Sequence, residues 1–230
     1  MLENYLQPVT EGQPISVEAC LQELTEEERI FLSEHTSRVE FSVGDEVIRQ
    51  GYLANQLLLL EKGYVRLDIC SDKHKRTIQL IKPLSFIGII CTFASRTVTF
   101  SSTAISECTI SIMDRNAFEK LLESNGRFAL KVVKMMSGMA SNLVYHLTRF
   151  DGKQVDGALA MLLLEFADTF GSTQFELPFS RVELARMLGY SKESIVHTLS
   201  RFNRDGLLTV QDRTIHIPHR KNLEIIAQKG

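Results

Sequence analysis

The sequence predicts an α+β protein: a closed or folded-over antiparallel sheet in the N-terminal half, a long central helix, and a C-terminal winged helix-turn-helix. Three observations carry this. Between residues 39 and 113, short apolar runs are punctuated by Gly44, Gly51, Gly63 and Gly88, the texture of short strands joined by turns. From 127 to 150 there is no proline, and apolar residues recur at spacings of three and four, a helical period. From 180 to 204, two short amphipathic stretches flank Gly189, the pattern of two helices joined by a tight turn.

The elements follow in chain order. Residues 1–15 carry Glu3, Pro8, Glu11 and Gly12 and lack a basic start followed by an apolar core, so they do not read as a signal peptide. No apolar run approaches the roughly 20 residues of a membrane span. The longest, 57–60 and 86–90, are strand-sized. A cytoplasmic location and no membrane partner are expected. Up to about Ser37 the chain reads as polar helix: Thr25 caps, Glu26, Glu27 and Glu28 suit the positive end of a helix dipole, and Ile30, Phe31 and Leu32 follow. Residues 64–69 and 76–81 alternate as half-buried strands, with a hairpin turn at 71–75. Residues 97–105 and 108–113 are rich in β-branched side chains. Asp114 opens a short helix. Cys20, Cys70, Cys91 and Cys108 are widely spaced with no CxxC, which argues for buried or inert thiols and against an iron–sulfur cluster.

In the long segment, Ala129, Val132, Met136, Met139, Leu143, His146 and Phe150 form an a/d seam. Leu130, Val133 and Leu147 lie off it and are expected to pack on the sheet. An interface with a second copy on one face and the sheet on the other accounts for a helix apolar on two sides. Asp151-Gly152-Lys153 ends the helix. The expected organisation is thus 1–126, 127–150 and 151–230. A second helix is expected over 158–170, closed by Gly171.

Ser180 and Glu183 form a capping box. The helix they open buries Val182, Leu184, Ala185 and Leu188. Ser191 caps the next helix, 192 to about 204, with Ile195, Leu199 and Phe202 inward. Asp205-Gly206 stops it, and 207–210 and 214–217 form a wing around Gln211-Asp212-Arg213. Net charge is −2, yet 180–221 holds eight basic residues against four acidic, with three of the six histidines. A local basic surplus is the footprint of phosphate binding. Lys192, Glu193, Val196, His197 and Ser200 form the outer face, placed to enter a major groove. Glu193 is suited to accept from a cytosine amino group, and Lys192 and His197 to donate to guanine or phosphate. Ser180, Arg181 and Arg213 suit phosphate contacts. Ser191, Ser194 and Arg201 complete the expected DNA-binding set.

With these residues in view, the chain resembles the cyclic-AMP receptor protein / fumarate-nitrate regulator (CRP/FNR) superfamily over about 24–217. Three blocks carry the resemblance: Gly44-Asp45-Glu46-Val47 through Gly51 and Leu57–Arg66; Phe86-Ile87-Gly88 in the phosphate-cassette region; and Ser180–Ala185 with Leu188–Ile195. It implies a β-roll of the cupin-like jelly-roll kind acting as a sensor domain, a central dimerisation helix, and a homodimer on an inverted repeat. Expected partners are double-stranded DNA, a second copy and RNA polymerase. Val132, Met136, Met139, Leu143, His146 and Phe150 are the expected dimer contacts.

The departures from the family pattern are informative. Cyclic-nucleotide-binding members follow the cassette glycine with a ribose-holding glutamate, where this chain has Ile89. Their phosphate-clamping arginine-serine pair is replaced by 98–102, with Arg96 out of register. Cyclic AMP would lack its partners and is not expected, and the effector is unknown. His197 stands where many members have arginine, which alters guanine reading. The expected effector pocket comprises Gly88, Ile89, Phe100, Ser101, Met136 and Met139, with Ile90 and Phe93. It would suit haem or an apolar metabolite, with His146 or His35 as candidate axial ligands. An alternative is a haem or apolar-ligand module whose winged helix serves protein interaction. No nucleophile elbow, Walker loop, HExxH or paired-carboxylate motif occurs, so no enzyme activity is expected.

Overall fold

The computed structural model describes residues 15–71, 74–95 and 97–230. The chain divides into two compact units, Met1–Thr148 and Arg149–Gly230. In the first, α1 (Val17–Leu21) and α2 (Glu26–Glu34) precede the sheets. Thr25 caps α2 as the sequence predicts, and Glu28 completes a capping box: Glu28 N donates to Thr25 Oγ1 (3.3 Å) and Thr25 N to Glu28 Oε2 (2.9 Å). Asn125 joins this corner, donating to Glu28 Oε2 and to the Glu23 carbonyl, both at 2.9 Å. These bonds hold the Glu28 carboxyl below the usual carboxylate range.

Eight strands follow: β1 (Thr36–Phe41), β2 (Glu46–Ile48), β3 (Gln56–Lys62), β4 (Val65–Ser71), β5 (His74–Ile81), β6 (Ser85–Ile87), β7 (Ser101–Ala104) and β8 (Cys108–Asp114). They form two four-stranded antiparallel sheets, β1-β8-β3-β6 and β2-β7-β4-β5, the expected β-roll. Ser71 pairs with His74; Asp72, Lys73 and Arg96 lie outside the described residues. The strand expected from 97 is shorter, because 97–98 instead pair with the 51–53 segment.

The run Leu57–Leu60 is buried throughout, and period-two geometry explains why. Leu58 and Leu60 face the roll interior with Val65, Leu67, Ile87, Ala104 and Ile110. Leu57 and Leu59 face outward into a second core, with Val17, Phe118, Phe128 and Val132. Helices cover that outer face: α3 (Ile89–Ala94), α4 (Arg115–Ser124, capped by Asp114) and α5 (Gly126–Thr148). Cys20 and Cys108 are buried, and burial pushes both thiols up. No described helix is long and apolar enough to cross a membrane.

The long helix corrects the expected seam. Phe128, Val132 and Met135 are buried against the roll, and Met136 and Met139 pack partly on the same core. Leu130 and Val133, expected on the sheet, are exposed. With Ser137, Ala140 and Val144 they form an outward row at three- and four-residue spacing. Leu143 borders this row and is also exposed. The side chains of His146 and Leu147 lie outside the described residues. Phe150 lies beyond α5, stacked under the Arg149 guanidinium at 4.3 Å. Two apolar stripes of equal period, one residue apart, run along this helix. Periodicity finds both and cannot assign either to the core.

The second unit contains α6 (Val155–Phe170), β9 (Gln174–Glu176), α7 (Arg181–Leu188), α8 (Lys192–Arg204), β10 (Thr209–Gln211), β11 (Thr214–His216) and α9 (Arg220–Lys229). Its sheet runs β10-β11-β9. Neither β9 nor α9 was expected from sequence. The core gathers Leu159, Leu163, Phe166, Phe179, Ile195 and Phe202. Val182, expected inside, is exposed, and Met187 is buried instead.

Candidate nucleic-acid interface and β-roll cavity

The two helices of the second unit are fixed by local chemistry. Ser180 Oγ accepts from Glu183 N (3.3 Å), and Glu183 Oε2 accepts from Ser180 N (2.8 Å). Gly189 ends α7 in the left-handed conformation at φ 74°, which glycine adopts without a Cβ penalty. Tyr190 N closes that turn on the Ala185 carbonyl at 3.0 Å. Ser191 Oγ then caps α8, accepting from Ser194 N at 3.1 Å, with the two serine hydroxyls 2.8 Å apart.

On α8, Ile195, Thr198, Leu199 and Phe202 are buried. Lys192, Glu193, Val196, His197 and Ser200 are all exposed on the other side. The result is a rod with a largely apolar underside and a polar upper face that carries Lys192, Glu193, His197 and Ser200. Arg201 does not join that face. It forms an ion pair with Asp156, which also accepts from Thr198 Oγ1 at 3.2 Å. The position falls on the edge of the buried face, where α6 supplies a carboxylate, so the DNA contact expected of Arg201 would compete with Asp156.

The wing is braced by two of the expected phosphate-contact residues. Arg181 Nη2 donates to the Asp212 carbonyl (3.1 Å), and Asp212 turns the wing with φ 54°. Burial pulls the Arg181 guanidinium below its usual range, with Asp212 opposing. Arg213 donates to the Leu177 carbonyl (2.9 Å) and lies 3.4 Å from Glu176. Asn203 Oδ1 accepts from Val210 N (2.9 Å), tying α8 to β10. A cleft lined by Arg181, Val196, Ser200, Asn203 and Val210 opens between helix and wing.

Sequence reading missed a further set. The Tyr190 hydroxyl donates to the Lys153 carbonyl, linking the helix-turn-helix turn to the start of the unit. Lys153 Nζ donates in turn to the Ala227 carbonyl (2.7 Å) at the end of α9. Arg149 pairs with Glu165 (2.7 Å), and burial raises the Glu165 carboxyl despite that partner. These contacts join residues far apart in the chain and leave no local signal.

In the first unit, the six expected effector-pocket residues are separated. Gly88 and Phe100 line a cavity of about 600 Å³, bordered also by Arg49, Tyr52, Leu58 and Thr92. Ile89, Met136 and Met139 pack in the outer core on the opposite side of the sheet, with Ile90 and Phe93. Ser101 Oγ instead accepts from Gln50 N at 3.1 Å. Gly88 sits at φ 72°, and a Cβ there would collide with the Phe100 ring. The chain reverses at Gly88, so its neighbours Ile87 and Ile89 end in different cores. His35 stacks on Phe31, and its Nδ1 donates to the Phe31 carbonyl (2.8 Å).

Residues 157–226 match the family described as the Crp-like helix-turn-helix domain, and residues 38–125 the cyclic nucleotide-binding domain. The chain is similar to the HTH-type transcriptional regulator Cmr of Mycobacterium tuberculosis, at 25% identity over 86% of this chain and 79% of that protein. It is also similar to the CRP-like cAMP-activated global transcriptional regulator of the same organism, at 21% identity over 84% of this chain and 88% of that one. Among solved structures, FixK2 from Bradyrhizobium japonicum superposes with a TM-score of 0.73 at 20% identity, over 83% of this chain and 96% of that one.

Proposed function

The chain belongs to the CRP/FNR superfamily of DNA-binding transcriptional regulators, and from that premise we propose that it is a sequence-specific regulator acting as a homodimer on an inverted repeat. The observation that carries the reading is the exposed upper face of α8 beside a braced wing. Lys192, Glu193 and His197 read bases in the major groove, with Val196 and Ser200 alongside. The Ser180, Ser191 and Ser194 ends of α7 and α8, with Arg181 and Arg213, hold the phosphates. Residues 1–126 form the sensing part, 127–150 the dimerisation helix and 151–230 the DNA-binding part. Two copies meet along the outward row of Leu130, Val133, Ser137, Ala140 and Val144. A DNA target and RNA polymerase as a partner place its action at the chromosome, in the cytoplasm. No catalytic role is part of this reading.

The effector is something other than a cyclic nucleotide, although one of the matched families is named for that ligand. The residues present do not fit it. Phe100 lies over Gly88, where the cyclic phosphate would sit, and Ile89 is turned into the other core. The one cationic side chain among the described lining residues, Arg49, is paired with Glu46. A buried anion without a cation or donors is strongly disfavoured.

Selection from a random duplex library with the full chain tests the reading. Enrichment of two inverted half-sites about one helical turn apart is expected, with affinity that falls steeply as salt is added. A chain that enriches no sequence, or binds enriched and random duplexes equally, would overturn it.

A further inference from the structure

One apolar side chain interrupts the polar face that α8 turns to solvent. Lys192, Glu193, His197 and Ser200 are exposed there, and Val196 stands among them at 41% exposure. Helical spacing sets it one turn after Lys192 and Glu193 and one turn before Ser200. The Ser200 hydroxyl leans back along the helix and donates to the Val196 carbonyl at 2.9 Å. Val196 also borders the cleft between α8 and the wing, together with Leu199 and Val210. Asn203 ties Val210 to the helix there by accepting from its backbone N–H at 2.9 Å. An isopropyl group is thus presented beside further apolar surface, on a stretch of helix that the wing steadies.

The chemistry of base edges decides what such a group can recognise. The valine side chain neither donates nor accepts, so it gains nothing from the polar atoms of a groove. Guanine, cytosine and adenine are told apart in the major groove by their donors and acceptors, whereas thymine adds a C5-methyl group. Covering that methyl with Val196 takes two apolar surfaces out of water. Any of the other three bases at the same place sets a polar edge against the isopropyl group and forfeits hydration. We propose that Val196 is a specificity-determining residue that selects thymine through its 5-methyl group. The proposal rests on the regulator reading given above and adds a base to its target. By the same chemistry, 5-methylcytosine at this place is held more tightly than cytosine.

Deoxyuridine scanning tests it, because that replacement removes the methyl and leaves every hydrogen-bonding atom of thymine in place. The probes are the duplex most enriched from the random library by the full chain, and copies in which each symmetry-related pair of thymines in turn becomes deoxyuridine. One position should lose about fifteenfold in affinity, about fourfold for each half-site, as for uncovering one CH2-sized group. Cytosine there should bind more weakly than 5-methylcytosine. Val196→Ser should shrink the thymine-to-deoxyuridine ratio to about twofold or less, and Val196→Ile should keep it. The ratio is taken within each variant, so a general loss of DNA affinity does not enter it. A scan in which no thymine methyl matters overturns the proposal, and so does a methyl effect of undiminished size in Val196→Ser. If the chain still prefers its unsubstituted duplex to random DNA, the regulator reading stands and only this proposal falls. A chain that enriches no duplex removes both.

Discussion

Replacing Leu130 and Val133 by alanine should split the dimer without unfolding the subunit. The two side chains are 56% and 58% exposed, so most of their surface remains to be covered by a partner. A buried CH2 group is worth about 0.8 kcal/mol. Scaled by the exposed fraction and doubled for two subunits, the pair of substitutions forfeits about 4–5 kcal/mol of association. That is a rise in the dimer dissociation constant of about a thousandfold or more. Val132, its neighbour in sequence, is 2% exposed and faces the roll. Val132→Ala should therefore cost about 2 kcal/mol of subunit stability through a core cavity and leave association nearly unchanged. Sedimentation equilibrium over a concentration series, with thermal unfolding alongside, measures both quantities. If Val132→Ala dissociates the dimer while the double variant does not, the assignment of the two stripes is reversed. A wild-type chain that is monomeric at all concentrations would refute the interface.

Three further outcomes are expected. Glu193→Ala should relax discrimination at one base pair by about 1–3 kcal/mol, read from binding across half-site variants; unchanged discrimination would count against base reading by this residue. Arg201→Ala should lower stability by about 1 kcal/mol while leaving the salt dependence of DNA binding unaltered. A drop of about one in the slope of log affinity against log salt would instead mark Arg201 as a phosphate contact. Glu28 has a folded-state pKa below its ordinary value of 4.5, so its stabilising contribution is present above that value and fades as pH falls through the lowered folded pKa. Glu28→Gln should be less stable than wild type near neutrality and converge on it in acid, as followed by unfolding at a series of pH values.

What the sequence made legible was what is decided locally. Serine at 180 and 191, glutamate at 183 and glycine at 189 set the caps and the turn within a few residues, and α7 and α8 fall where those residues place them. The alternation of strands and the buried run at 57–60 were equally visible. The illegible parts depend on partners distant in the chain. Arg201 reads as a free cation until Asp156 is brought beside it. Gly88 and Ile89 are adjacent in sequence, and only the left-handed turn between them sends the next side chain into the other core. Three-residue β9 is too short to show a period. Val182 lies on a helix whose inner face is settled by α6 and α8, and local apolarity alone misplaces it.

The Phe100 ring over Gly88 also bears on how long this regulator lasts in a cell. A receptor whose interior is completed by its guest becomes looser and more easily digested whenever that guest grows scarce, because binding contributes to the folding equilibrium. Here the Phe100 ring fills the space over Gly88 but leaves a cavity of about 600 Å³ beside it. A guest in that cavity should raise the first unit's resistance to proteases, so the number of regulator molecules follows the supply of the guest as well as their synthesis.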